Sequence, residues 1–129
     1  VAEVAAELRE RVARASAAGV ADDRIVLDPG IGFAKAAEQS LELLARTAEL
    51  AALGFPLLVG ASRKSFLSRL LGGLPADQRL EGSLAAATLA VVEGARIVRV
   101  HDVAATVRAV RVAEAVREAR PARGPALPA

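Results

Sequence analysis

The chain has 129 residues, 53% of them hydrophobic and 25% charged, which suits one folded core rather than a disordered polymer. It holds no cysteine, one histidine and three aromatic residues, all Phe, which excludes disulfides, thiolate metal sites, multi-histidine cages and the usual base-stacking platforms. A net charge of +2 from 17 basic and 15 acidic residues gives no concentrated basic patch, and no leader or membrane-length apolar run is present, so the expectation is a cytoplasmic protein without nucleic-acid or membrane partners.

Val1, Val4, Leu8 and Val12 recur at helical spacing and predict an amphipathic helix over 1–18, stopped by Gly19. A β-branched run, "RIVLDPG" (24–30), follows and ends at Pro-Gly. Leu41, Leu44, Ala48 and Ala51 mark a second helix closed by Gly54, and "PLLVGAS" (56–62) is the second strand. "RKSFLSRLLGGLP" reads as a short helix ended by Gly72, Gly73 and Pro75. A longer helix over 77–93 carries Leu80, Leu84, Ala87 and Val91 in register until Gly94. "RIVRV" (96–100) is the third strand, and Val103, Val107, Val110 and Val116 carry the last helix. The tail "PARGPALPA" (121–129) is expected to be disordered.

Helices alternating with short apolar strands predict βαβ units and a parallel sheet, either doubly wound or part of a (β/α)₈ barrel. In both architectures active sites gather at the carboxyl ends of the strands. The polar residues of this chain sit there: Asp28 before "PGIGFAK", Ser62, Arg63 and Lys64 in "GASRK", and Arg99 and His101 in "RVHD". Side chains alternate along a strand, so Val26 shares a face with Asp28, Gly60 with Ser62, and Arg99 with His101. One face is then free to pack under helices while the other presents acid, hydroxyl and cations to a common site. Taken singly, each has a plain structural reading: Asp28 as a turn acid, Asp102 as the cap of the last helix, His101 as a structural histidine. "GIGFAK" lacks the third glycine of a dinucleotide fingerprint, and no GK[ST] makes a phosphate loop.

"LDPGIGFAK", "GASRKSFL" and "RVHDV", in this order, resemble three signature segments of the dihydropteroate synthase family, and the likeness spans residues 1–120. The resemblance implies an α/β fold: the C-terminal portion, about the last three βα units, of a (β/α)₈ TIM barrel. It implies an enzyme of folate biosynthesis that joins 6-hydroxymethyl-7,8-dihydropterin pyrophosphate to 4-aminobenzoate, giving 7,8-dihydropteroate and pyrophosphate. By resemblance, Asp28 pairs with the amino-pyrimidine edge of the pterin, and Lys64 donates to its carbonyl side and lines the aminobenzoate channel. Ser62 lies near the aminobenzoate carboxylate, Phe33 packs on its ring, and Arg99 and His101 hold the pyrophosphate. Gly32, Gly60 and Arg63 complete the substrate-binding motifs, Arg63 with a guanidinium suited to holding the fold. The family also implies Mg²⁺, with its protein ligand outside this segment, and a homodimer through the last helices. A full barrel takes about 250 residues, so activity is expected to need the N-terminal half. The alternative is a non-catalytic pterin-binding or assembly module. One departure from the family pattern is Ala34, where Gly is usual and positive φ is easier to reach.

Overall fold

A computed structural model of the chain describes residues 1–119; the tail expected at 121–129 lies outside them. Its Ala-, Glu- and Arg-rich first segment forms helix α1, Ala2–Ala17. Glu7 and Arg11 pair one turn apart on its exposed side. Leu8 is buried, with Val1, Val4 and Val12 packed half-buried beside it, which is the stripe the periodicity predicts. Gly19, at φ +91°, takes the left-handed conformation that ends the helix.

Three apolar runs lie side by side in chain order. Leu27 bridges Leu57 in parallel, and strand β1, Leu58–Val59, pairs in parallel with β2, Ile97–Val98. The Leu57 carbonyl accepts the amides of Arg96 (2.9 Å) and Ile97 (3.2 Å), while the Leu58 amide donates to Leu27 (2.7 Å). Each strand succeeds its neighbour in sequence, as in consecutive βαβ units. The paired stretches are shorter than 24–30, 56–62 and 96–100. A 3₁₀ turn at Asp22–Arg24 occupies the start of the first run, and Pro29, without an amide hydrogen, closes it.

The helix expected up to Gly54 is two: α2, Ala37–Ala45, and α3, Thr47–Ala51. The Thr47 hydroxyl donates to the carbonyls of Leu43 (3.3 Å) and Leu44 (2.8 Å), and Arg46 leaves the helical region at φ −110°, ψ 27°. That break rotates the stripe, so Thr47 and Leu50 are buried and Ala48, expected inside, is exposed. Next come α4, Ser65–Leu70, and a 3₁₀ turn at Ala76–Gln78 that delays α5 to Leu80–Val92. The last helix, α6, Val103–Ala119, packs on α5. It turns inward a face other than its valine stripe: Thr106 and Ala113 are buried, whereas Val103, Val107 and Val116 are exposed.

The core joins Leu27, Leu57 and Val59 of the strands to Leu43, Leu44, Leu50 and Phe66 of the helices. Val26 and Ile97, on the opposite strand face, are 47% and 40% exposed. The alternation thus works as the sequence predicts: one face lies under the helices and the other is open, with the site at its carboxyl end.

Candidate active site

The first strand end turns through Gly30 (φ +68°) and Gly32 (φ +75°). Asp28 Oδ1 accepts the Gly30 amide at 2.9 Å, and the Gly32 amide donates at 3.2 Å to Oγ of Ser40, a fully buried serine of α2. Asp28 Oδ2 receives Arg99 Nη2 at 3.1 Å. These two residues stand on the outer strands of the three, so the guanidinium must cross the middle one, and it does so at Gly60. A Cβ there would lie 2.9 Å from Arg99 Nη2.

Lys64 reaches back to the first loop. Its ammonium donates to the Ile31 carbonyl and stands 4.0 Å from the centroid of the Phe33 ring, a cation–π contact. Burial pushes this ammonium below its usual pKa; Asp28 works in the opposite direction, and Arg99 and Lys35 add to the lowering. Its stem lies directly over Gly32, where a Cβ would come within 2.6 Å of Lys64 Cδ.

Ser62 is buried against the third strand end. Its Oγ accepts the His101 amide (3.2 Å) and lies 2.9 Å from His101 Nδ1. Ser62 thereby ties the second strand end to both the backbone and the ring of His101. Arg63 grips Asp102 with two hydrogen bonds, 2.8 and 3.2 Å, which raises the guanidinium pKa further above its usual value. Asp102 stands at the start of α6, but its carboxylate serves Arg63 while its carbonyl accepts the Thr106 amide at 3.0 Å.

All nine site residues expected from the sequence therefore fall on three adjacent loops, tied by Arg99–Asp28, Lys64–Ile31, Ser62–His101 and Arg63–Asp102. The Asp102 partnership, Ser40, and the contacts of Arg79 and Ser83 with the Arg63 backbone were not anticipated. A hydroxyl on the buried side of a helix was the available signal at 40 and 83. Among the described residues no group of three His, Asp or Glu side chains is placed to hold a metal ion. No described helix is long and apolar enough to cross a membrane.

Ala34 does adopt the left-handed conformation, φ +48°, and is exposed. A Cβ costs about 1–2 kcal/mol there, partly offset by the smaller unfolded-state entropy of Ala. Ala34→Gly is expected to stabilise the chain by about 0.5–1 kcal/mol, read from the urea midpoint at unchanged slope. A destabilised variant would show that the loop is unstrained.

Residues 1–101 match the family model described as pterin binding enzyme. The chain belongs to this family. It is 49% identical over 119 residues to the dihydropteroate synthase of Escherichia coli, a match covering 92% of this chain and 42% of that protein. With the dihydropteroate synthase of Mycobacterium leprae the identity is 47% over 126 residues, covering 94% and 44%. Among solved structures, the Coxiella burnetii dihydropteroate synthase in complex with pteroic acid superimposes with a TM-score of 0.89 at 41% identity, over 92% of this chain and 43% of that one. The Xanthomonas albilineans enzyme in complex with 7,8-dihydropteroate gives 0.89 at 46% identity, over 94% and 46%. The chain thus spans less than half the length of these relatives.

Proposed function

We propose that this chain is the C-terminal portion of a dihydropteroate synthase (β/α)₈ barrel, its domain running over 1–120. It contributes half of a site that condenses 6-hydroxymethyl-7,8-dihydropterin pyrophosphate with 4-aminobenzoate. One observation carries the reading: an acid, a lysine stacked on a phenylalanine, and an arginine–histidine pair, from three successive strand ends, form one contact network.

In this reading Asp28 takes the amino-pyrimidine edge of the pterin through two parallel hydrogen bonds. Its pairing with Arg99, whose side chain is 56% exposed, is weak enough for a ligand to displace. Lys64 donates to the pterin carbonyl side, and Phe33 packs on the aminobenzoate ring. Arg99 and His101 hold the pyrophosphate, where negative charge grows as the methylene C–O bond breaks. The aminobenzoate nitrogen then attacks the cationic methylene and loses a proton, so no protein nucleophile is needed. Ser62 lies near the aminobenzoate carboxylate and orients His101 toward the pyrophosphate, and Gly32, Gly60 and Arg63 complete the substrate-binding loops. The Mg²⁺ implied by the family finds no donor set in the described residues: Asp28 is engaged by Arg99 and lies in the field of the Lys64 ammonium. Any Mg²⁺ is held by the rest of the barrel, and a cytoplasmic location belongs to the same proposal.

The test combines this chain with the N-terminal half of the E. coli relative, both substrates and Mg²⁺, and reads dihydropteroate by mass spectrometry. Product is expected from the combination and not from the chain alone, and Lys64→Ala should abolish it. Undiminished turnover by Lys64→Ala would overturn the role given to Lys64. The open strand face at Val26 and Ile97 favours a second reading, a non-catalytic pterin-binding or assembly module. Saturable pterin binding without product in the combination would select it.

We further propose that the intact enzyme is a homodimer through α5 and α6, where Leu89, Val103, Val107, Val112 and Val116 are exposed. Sedimentation of the intact enzyme at roughly tens of micromolar is expected to show a dimer. A single monomeric species there would refute it.

A further inference from the structure

Arg63 has φ +58°, a left-handed backbone in a residue with a side chain, between the two residues that matter most to the loop. In an extended chain Ser62 and Lys64 would both project to the face opposite the side chain of residue 63. The left-handed turn separates them: Ser62 meets His101 on the third strand end, and Lys64 crosses to Ile31 and Phe33 on the first. Both peptide groups of Arg63 are held from α5 and the turn before it. Its amide donates to Ser83 Oγ (2.9 Å), and the Ser83 hydroxyl donates to the Arg79 carbonyl (2.7 Å). Arg79 Nη1 in turn donates to the Arg63 carbonyl (2.7 Å). Arg79 Nε is anchored on the Leu74 carbonyl at 2.8 Å, and Ser83 is 3% exposed. A conformation that an L-residue rarely adopts persists when its surroundings over-determine it.

We propose that Arg79 and Ser83 are positioning residues of the site: they clamp the Arg63 backbone in its left-handed form and thereby aim Lys64 and Ser62 in their two directions. The kinetic arm of the test rests on the synthase reading above; the spectroscopic arm does not. His101 is the only histidine, so its ring resonances report on the Ser62 contact without ambiguity. Ser83→Ala and Arg79→Lys, which replaces the fixed pair of Nε and Nη1 donors to the Leu74 and Arg63 carbonyls by one nitrogen, are expected to shift them. Thr47→Ala, which deletes another buried hydroxyl away from the loop, should leave them in place.

In the reconstituted barrel both variants should raise the KM for 4-aminobenzoate about fivefold or more, with Thr47→Ala unchanged. Unmoved His101 resonances in the folded variants, or an unmoved KM, would overturn the proposal. Should Ser83→Ala fail to fold, Arg79→Lys carries both measurements. Shifted resonances in a barrel in which even the unsubstituted chain makes no product would uphold the clamp and refute the synthase reading.

Discussion

Gly32→Ala is expected to cost the reconstituted enzyme about 100-fold in turnover, the usual effect of displacing a reacting group's neighbour by an ångström. Two causes act at once. The new Cβ would lie 2.6 Å from Lys64 Cδ, a mid-stem atom whose far end is fixed on the Ile31 carbonyl, so the lysine must leave the Phe33 ring. The residue also sits at φ +75°, where a Cβ costs about 1–2 kcal/mol of stability. The measurement is a pair: the urea midpoint of the chain and turnover in the combined barrel. A variant with wild-type turnover would mean that the lysine's path over Gly32 is irrelevant to catalysis.

Leu57→Ala is expected to remove about 3–5 kcal/mol, the cost of a core leucine whose cavity cannot collapse. Leu57 is fully buried in the middle strand; its carbonyl takes two amides from the third run, and its backbone bridges Leu27 of the first. A chain of this size has roughly 5–15 kcal/mol in all, so the urea midpoint should fall steeply and helical circular dichroism should be lost at lower temperature. A loss below about 1 kcal/mol would place the core elsewhere.

The strand ends were legible because each polar residue terminates an otherwise apolar run. Asp28, Ser62, Arg99 and His101 could be assigned to one end of the sheet from the period of two alone. The break at Arg46 was not legible, since Leu41, Leu44, Ala48 and Ala51 keep the helical spacing and only the Thr47 hydroxyl interrupts it. Nor was the inward face of α6: four valines outweigh Thr106 and Ala113 in any count of hydrophobicity, yet close packing on α5, whose buried residues are mostly Ala and Ser, admits the smaller pair. The left-handed Arg63 left no local trace, because what holds it comes from residues 16 and 20 positions later.

Among the described residues β2 is hydrogen-bonded on one side only. Beside that free edge stand Ile97 and the exposed Val103 and Val107 of α6, so the strand is a template ready for another backbone. During synthesis this makes timing matter: until another backbone or side-chain surface covers the edge, correct folding competes with chaperone capture and aggregation. The yield of folded protein then depends on how soon the edge is covered as well as on how stable the finished fold is.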